Sequence, residues 1–241
     1  MGEKILGSEP SETDRVRERY QRRMILTDLY NPLNPSVYMA KQERERALIR
    51  LITEAGLTPV NDKRVLEVGC GAGSNILQLI ELGFNPELLV ANELLEERVQ
   101  IARKRLPPDV QIIQGDASEL KLAPNFFDIV LQSTVFTSLL DVSFQQKLAN
   151  KMWELTKPGG GVIWYDFIYN NPSNPDVRGV SIKQIKKLFP QGRIKTWRVT
   201  LAPPISRRVT RLHPALYNFF NLFPLLRTHV LCWIEKPYES L

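Results

Sequence analysis

Three short segments bring together residue types that could hold a nucleoside-bearing ligand. The run Glu67-Val68-Gly69-Cys70-Gly71-Ala72-Gly73 sets three glycines at alternate positions. Bare backbone of this kind can pass very close to a ligand, and a helix starting near Ser74 would aim free N–H groups at it. The spacing is Glu-x-Gly-x-Gly-x-Gly and not the Gly-x-Gly-x-x-Gly of dinucleotide sites. Twenty residues past Gly73 stands Glu93, at the end of a second apolar run. An acid there can accept hydrogen bonds from both hydroxyls of a ribose. Gly115-Asp116-Ala117 closes a third apolar run, where a carboxylate could accept from an adenine amino group. Each feature has a plain alternative, since Glu93 could be a solvated charge leading into a helix and Asp116 a turn residue. Three such features at the ends of consecutive strands argue instead for one crevice.

The elements that must carry these residues alternate regularly. Strand patterns fall at Arg64–Val68, Leu88–Ala91, Val110–Ile113, Phe127–Leu131 and Gly161–Phe167, and helical ones at Ser74–Leu82, Glu96–Leu106 and Ser143–Leu155. Apolar strands alternating with helices predict a parallel sheet covered on both faces. A short helix follows at Ser181–Phe189, then strands at Arg193–Leu201 and Thr228–Ile234. Upstream, a helix is expected near Ser11–Leu26, then two Asn-Pro pairs, then an amphipathic helix capped by Ser36 and ended by Gly56. The chain is thus read as a helical amino-terminal extension over residues 1–57 and a sheet domain over 58–241. An insertion at about 203–226 separates the last two strands and is expected to cover a substrate pocket.

Composition narrows the class. At 241 residues, 43% hydrophobic and 24% charged, the chain suits one α/β core and neither disorder nor a fibre. Its two cysteines, Cys70 and Cys232, imply no disulfide framework, and no Cys/His cluster at ligand spacing implies a metal. The amino terminus has no apolar run of signal-peptide length, so a cytoplasmic location is expected. Net charge is +6, with a pI near 9.3. From Val177 to Ile234 there is no Asp or Glu, while eleven Lys and Arg accumulate. That asymmetry suits phosphate, nucleic acid or a lipid head group, or a basic face that is only solvated. Leu212–Ile234 is too interrupted by prolines and basic residues to span a membrane, although a helix lying at the membrane surface fits.

The motifs resemble those of the class I methyltransferases dependent on S-adenosylmethionine. VLEVGCGAGSN is similar to the family's first motif and VANELLEERVQIARKRL to its second-strand acid and following helix. QGDASELKL resembles its adenine segment, FDIVLQSTVFTSLLD its fourth strand and LTKPGGGVIWYD the entry to its fifth. The likeness spans Arg64 to Asp166 and implies a Rossmann-like, doubly wound, mostly parallel seven-stranded sheet with S-adenosylmethionine as cofactor. By that likeness Glu67 would hold the amino end of the methionine moiety, Gly69, Cys70, Gly71 and Gly73 would give backbone approach, and Glu93 with Leu94 would take the ribose. Asp116 and Ala117 would meet the adenine, and Gln132 would face the cofactor from the fourth strand. The flanks also resemble a subgroup from bacterial glycan and secondary-metabolite assembly. One departure is that Thr137-Ser138 stand where many members carry a His pair, so an imidazole base is absent from that place.

A hydroxyl acceptor loses its proton as it attacks, which a positioned base assists. Asp166, at the end of the fifth strand, is the first candidate, against the alternative that it orders the Asn170-Asn171-Pro172 loop. His213, in the insertion, is the second, because histidine titrates near neutrality. Tyr30 and Tyr20 could close over the cofactor, and His229 reads as a packed residue. The expected activity is O-methylation of a sugar, glycan or small hydroxylated metabolite, on an acceptor that is phosphate-bearing or lipid-linked in one version of the reading. The competing readings are an RNA methyltransferase, which has no evident RNA-binding module behind it, and a non-catalytic cofactor-binding protein.

Overall fold

A computed structural model describes residues 11–23, 31–171 and 174–238 of the chain. Strands β1 (Val65–Val68), β2 (Leu89–Glu93), β3 (Gln111–Gln114), β4 (Phe127–Ser133), β5 (Thr156–Phe167), β6 (Arg193–Leu201) and β7 (Arg227–Glu235) form one sheet in the order β3-β2-β1-β4-β5-β7-β6. The first five run parallel, and β7 pairs antiparallel with both β5 and β6. This is the doubly wound, mostly parallel architecture expected, with the insertion between the last two strands.

Short β-branched and leucine runs such as Val65-Leu66-Glu67-Val68 are buried on both faces, as strands covered from two sides must be. On one face Leu66, Val130, Val162 and Trp164 pack with α5 (Val142–Leu155) and α6 (Ile182–Leu188). On the other, Val65, Leu89, Ile129 and Ile163 pack with α2 (Pro35–Glu54), α3 (Ser74–Glu81) and α4 (Glu96–Arg105). Trp164 is fully buried, with the Phe136 ring 4.4 Å away and the Phe189 ring edge-on at 6.2 Å.

Two boundaries differ from the sequence pattern for physical reasons. Helix α2 is capped by Asn34 and not Ser36: the Asn34 side chain accepts from Ser36 N at 3.2 Å, and Pro35 occupies the first helical turn, where its missing N–H costs nothing. Strand β5 begins at Thr156, five residues before Gly161, because the Lys-Pro-Gly-Gly-Gly run still pairs: Gly159 N donates to Lys236 O at 2.7 Å.

Helix α1 (Glu12–Arg23) has its own start signal. Ser11 Oγ accepts from Asp14 N at 3.2 Å while Asp14 Oδ2 accepts from Ser11 N at 3.3 Å, a reciprocal cap. The insertion folds as α7 (Pro203–Leu212) and α8 (Ala215–Asn221). It packs Val209 and Tyr217 against Leu201, with Met39 and Ala40 of α2 alongside, as a third small core.

Candidate functional site

The first three parallel strands end in loops that meet a fourth, from β4, around one cavity of about 290 Å³. That lies at the lower end of the ~300–1,000 Å³ range of small-molecule pockets. Its floor is the glycine loop (Gly69, Cys70, Gly71) with Ser74 and Asn75 at the start of α3. Glu93, Leu94 and Leu95 come from the end of β2, Gly115, Asp116 and Ala117 from the end of β3, and Ser133, Thr134, Val135, Ser138 and Leu139 from the turn after β4.

The loop owes its shape to residues without side chains. Gly69 has φ +67° and a Cβ there would lie 2.6 Å from Val135 Cγ2. Gly73 has φ +78° and packs on Leu106, which a Cβ would meet at 2.9 Å. Both positions combine left-handed backbone with close packing, which only glycine tolerates. Gly71, by contrast, opens onto the cavity.

The carboxylates are held by the backbone. Glu93 is buried, and its Oε2 accepts from Gly71 N at 2.8 Å while Oε1 accepts from Leu95 N at 2.9 Å, so the second strand end is tied to the glycine loop. Asp116 accepts from Ser118 N at 2.8 Å through Oδ1. Glu67 lies beneath the loop with no exposure; its Oε1 accepts from Asn75 Nδ2 at 2.6 Å and its Oε2 has no partner. Burial, only partly offset by the Asn75 bond, pushes its carboxyl up to about 7. Arg44 from α2 completes the group: its Nη2 donates to Asn75 Oδ1 at 2.9 Å and its guanidinium also lines the cavity.

The roof comes from α1, through Thr13, Val16 and Tyr20. A buried ion pair fixes it there. Arg19 donates from Nη1 and Nη2 to Glu12 at 3.0 Å, and from Nη1 to Ser138 O at 2.6 Å, while Glu12 Oε1 also accepts from Leu140 N at 2.8 Å. Nearby, the Arg98 guanidinium sits 4.3 Å from the Tyr20 ring centre, within cation–π range.

Several expected residues lie elsewhere. Asp166 is wholly buried behind the cavity wall, where Oδ1 accepts from Thr137 Oγ1 at 2.6 Å and Oδ2 from Thr137 N at 3.3 Å. It orders the turn after β4 and neither the cavity nor the Asn170 loop; burial raises it to about 7 despite the Thr137 bonds. Gln132 is also fully buried and uses Oε1 to accept from Val135 N at 3.1 Å, shaping the same turn instead of facing a cofactor. His213 is exposed at the head of α8, its Nδ1 accepting from Ala215 N at 3.2 Å, and the cavity draws no wall from residues 203–226. The insertion covers β6 and α2. His229 is packed, stacked on Tyr165 at 5.1 Å, and burial lowers it to about 4. Tyr30 lies outside the described residues.

Tyr20, expected to close over the cofactor, does line the cavity, but sequence reasoning missed Arg44, Asn75 and the Glu12–Arg19 clamp that holds α1 there. Glu12, Val16, Arg19 and Tyr20 stand at i, i+4, i+7 and i+8, one face of a helix, and that spacing was the available signal. Arg44 lies in the KQERER run, where nothing marks one basic residue from the next.

The arrangement fits a nucleoside sulfonium with an amino-acid tail. The cavity lining includes bare Gly71 backbone and the Glu93 carboxylate, whereas Glu67, expected at the amino end of the methionine, is buried beneath the loop and reaches the cavity only through Asn75. Residues 65–160 match the model of a family described as a methyltransferase domain. A demethylmenaquinone methyltransferase from Renibacterium salmoninarum is 28% identical over 161 residues, 67% of this chain and 62% of that protein. A tRNA N(3)-cytidine methyltransferase from Gallus gallus is 30% identical over 112 residues, 43% of this chain and 30% of that protein. The chain therefore spans less than two thirds of the length of these relatives. A solved structure from Thermotoga maritima, described as a SAM-dependent methyltransferase, superposes with a TM-score of 0.61 at 16% identity, over 91% of this chain and 99% of that one.

Proposed function

We propose, from the premise that residues 65–160 carry a class I methyltransferase domain, that this chain transfers a methyl group from S-adenosylmethionine to the oxygen of a small hydroxylated acceptor. The observation that carries the reading is the cavity at the ends of β1 to β4, with Glu93 and Asp116 on its wall and glycine backbone as its floor. When bound, S-adenosylmethionine supplies an electrophilic methyl group on a sulfonium. The chain's own residues bind and align. Glu93, held by Gly71 N and Leu95 N, offers its carboxylate to a ribose, and Glu67, buried beneath the loop, fixes Asn75 at the cavity wall. Val16 and Tyr20 keep water from above, and alignment alone can contribute up to ~7–11 kcal/mol toward such a displacement.

Asp166 enters this reading as a positioning residue. Through Thr137 it fixes the turn that presents Ser138 and Leu139 to the cavity. The acceptor is read as small because α1 roofs the cavity, and as partly apolar because Val16, Leu139, Phe144 and Leu148 line it. A sugar, a glycan or a lipid-carried hydroxyl group falls within that description.

Titration calorimetry with S-adenosylmethionine tests the premise, and Glu93→Ala should weaken binding by about 10–100-fold, the worth of hydrogen bonds to a charged group. Heat absent from the wild-type titration would overturn the reading. An acceptor panel scored for S-adenosylhomocysteine release tests the substrate class. One second reading has an observation behind it: the acid-free stretch from Val177 to Ile234, with the tRNA-modifying relative, favours RNA. Steeply salt-dependent RNA binding would support that reading, and none at low salt would remove it.

A further inference from the structure

We propose that the α7–α8 insertion docks the protein on an anionic lipid bilayer, with aliphatic side chains entering the membrane and α7 arginines meeting the head groups. The inner side of the insertion is an ordinary core of Val209, Tyr217 and Leu201. Its outer side is not the polar surface that such an element normally presents. Leu212 is 81% exposed, Leu222 69% and Leu225 89%, with Phe219 and Phe223 about half exposed. The rings of Phe219 and Phe223 lie 5.9 Å apart, and Leu222 and Leu225 stand within two positions of Phe223, which groups four of these five side chains in one short segment.

Charge selects the partner. Arg208 and Arg211 are exposed on α7, Arg207 is partly so, and among the described residues no ion pair engages any of the three. No acidic residue falls between Val177 and Ile234, so neither helix of the insertion carries one. Exposed leucines and phenylalanines beside arginines are the composition of a helix that lies in a membrane interface. A nucleic acid would be met by the arginines but would leave the leucines in water. Among the described residues no helix is long and apolar enough to cross a membrane, so contact would be from one side.

Topology gives the surface a purpose. Strand β6 is antiparallel to β7, which is antiparallel to β5, so β6 ends on the same edge of the sheet as β5. The insertion leaves β6 at Leu201 and therefore stands on the edge where the cavity opens. A bilayer held there would lie beside the route to the cavity. The inference adds a location to the proposed activity and does not depend on it.

Flotation with vesicles measures docking directly. Full-length protein should float with vesicles of about three parts phosphatidylcholine to one of phosphatidylglycerol, and the fraction bound should fall with salt. Leu222→Glu/Leu225→Glu should lower the partition coefficient at least about tenfold, since both aliphatic insertions are lost. Arg208→Ala/Arg211→Ala should lower it by about five-fold per arginine on anionic vesicles and leave binding to pure phosphatidylcholine unchanged. Thermal melting and S-adenosylmethionine titration on each variant separate loss of docking from loss of fold or of cofactor binding. Absence of flotation by the wild type, or flotation indifferent to both variants, overturns the proposal. So does a dimer in light scattering that Leu222→Glu/Leu225→Glu dissolves, which would assign the patch to a second copy of the chain.

Discussion

The floor and the roof of the cavity are made on different principles. The floor comes mainly from residues 68 to 139, where Glu93 and Asp116 stand at or within two residues of a strand end and are held by backbone N–H groups. The roof comes from α1, more than forty residues before β1, and is held by side chains: one buried guanidinium, one buried carboxylate and the two backbone groups they reach. Backbone geometry follows the fold wherever the fold forms, whereas a side-chain clamp can be removed on its own. The contrast teaches that a ligand-binding floor and an access-controlling cover can be varied independently in one chain.

The largest expected effect attacks the roof. Arg19→Ala leaves Glu12 as a buried, unpaired charge, a change that typically costs ~3–5 kcal/mol. Helix α1 contributes no strand to the sheet, so that loss should appear as fast amide exchange confined to residues 12–23, with the urea midpoint of the sheet little changed. A cooperative loss of the whole domain would break the comparison. Next comes the floor. Gly69→Ala adds a methyl 2.6 Å from Val135 Cγ2 at φ +67°, and the backbone strain alone is worth roughly 1–2 kcal/mol. Val135→Ala should recover the clash but not the strain, measured as unfolding free energy of the pair of variants.

A smaller, pH-confined effect probes the joint between the two regions. The Asp166 carboxyl is raised to about 7 by burial, so the fold favours its protonated form, while the unfolded chain ionises near 3.8. Its favourable contribution is complete below pH 4 and is lost as pH rises toward 7. Asp166→Asn cannot ionise, so its stability relative to wild type should improve by about 1–2 kcal/mol between pH 5 and pH 7 in urea titrations. A constant difference across that range would place the charge elsewhere. The smallest effect is Arg22→Ala, which breaks an exposed pair with Asp176. It should leave the urea midpoint unchanged within measurement error, and a clear shift would mean the roof has a second fastening.

The same contrast decides what could be seen in the chain before its fold. Glu93 and Asp116 were legible because strand ends and loops are local, and the apolar runs of β1 to β4 mark them. Asp166 and Gln132 carried the right residue types at strand ends, yet side chains alternate in and out along a strand, and both turned toward the turn after β4 instead of the cavity. His213 misled because an insertion between two strands can fold over either side of them, and the choice rests on which neighbour, here α2, offers an apolar face. Arg44 was hidden among the similar charged residues of the KQERER run, and only the distance to Asn75 singles it out.

Strand β7 sits between β5 and β6, although it is made after both. Without residues 227 to 235 the facing borders of β5 and β6 would lack partners for their backbone groups, since β7 pairs with Gly161 to Phe167 on one side and with Arg193 to Leu201 on the other. The slot filled last along the chain is therefore an inner one, so a truncation there would uncover two borders at once instead of shortening the sheet at its rim.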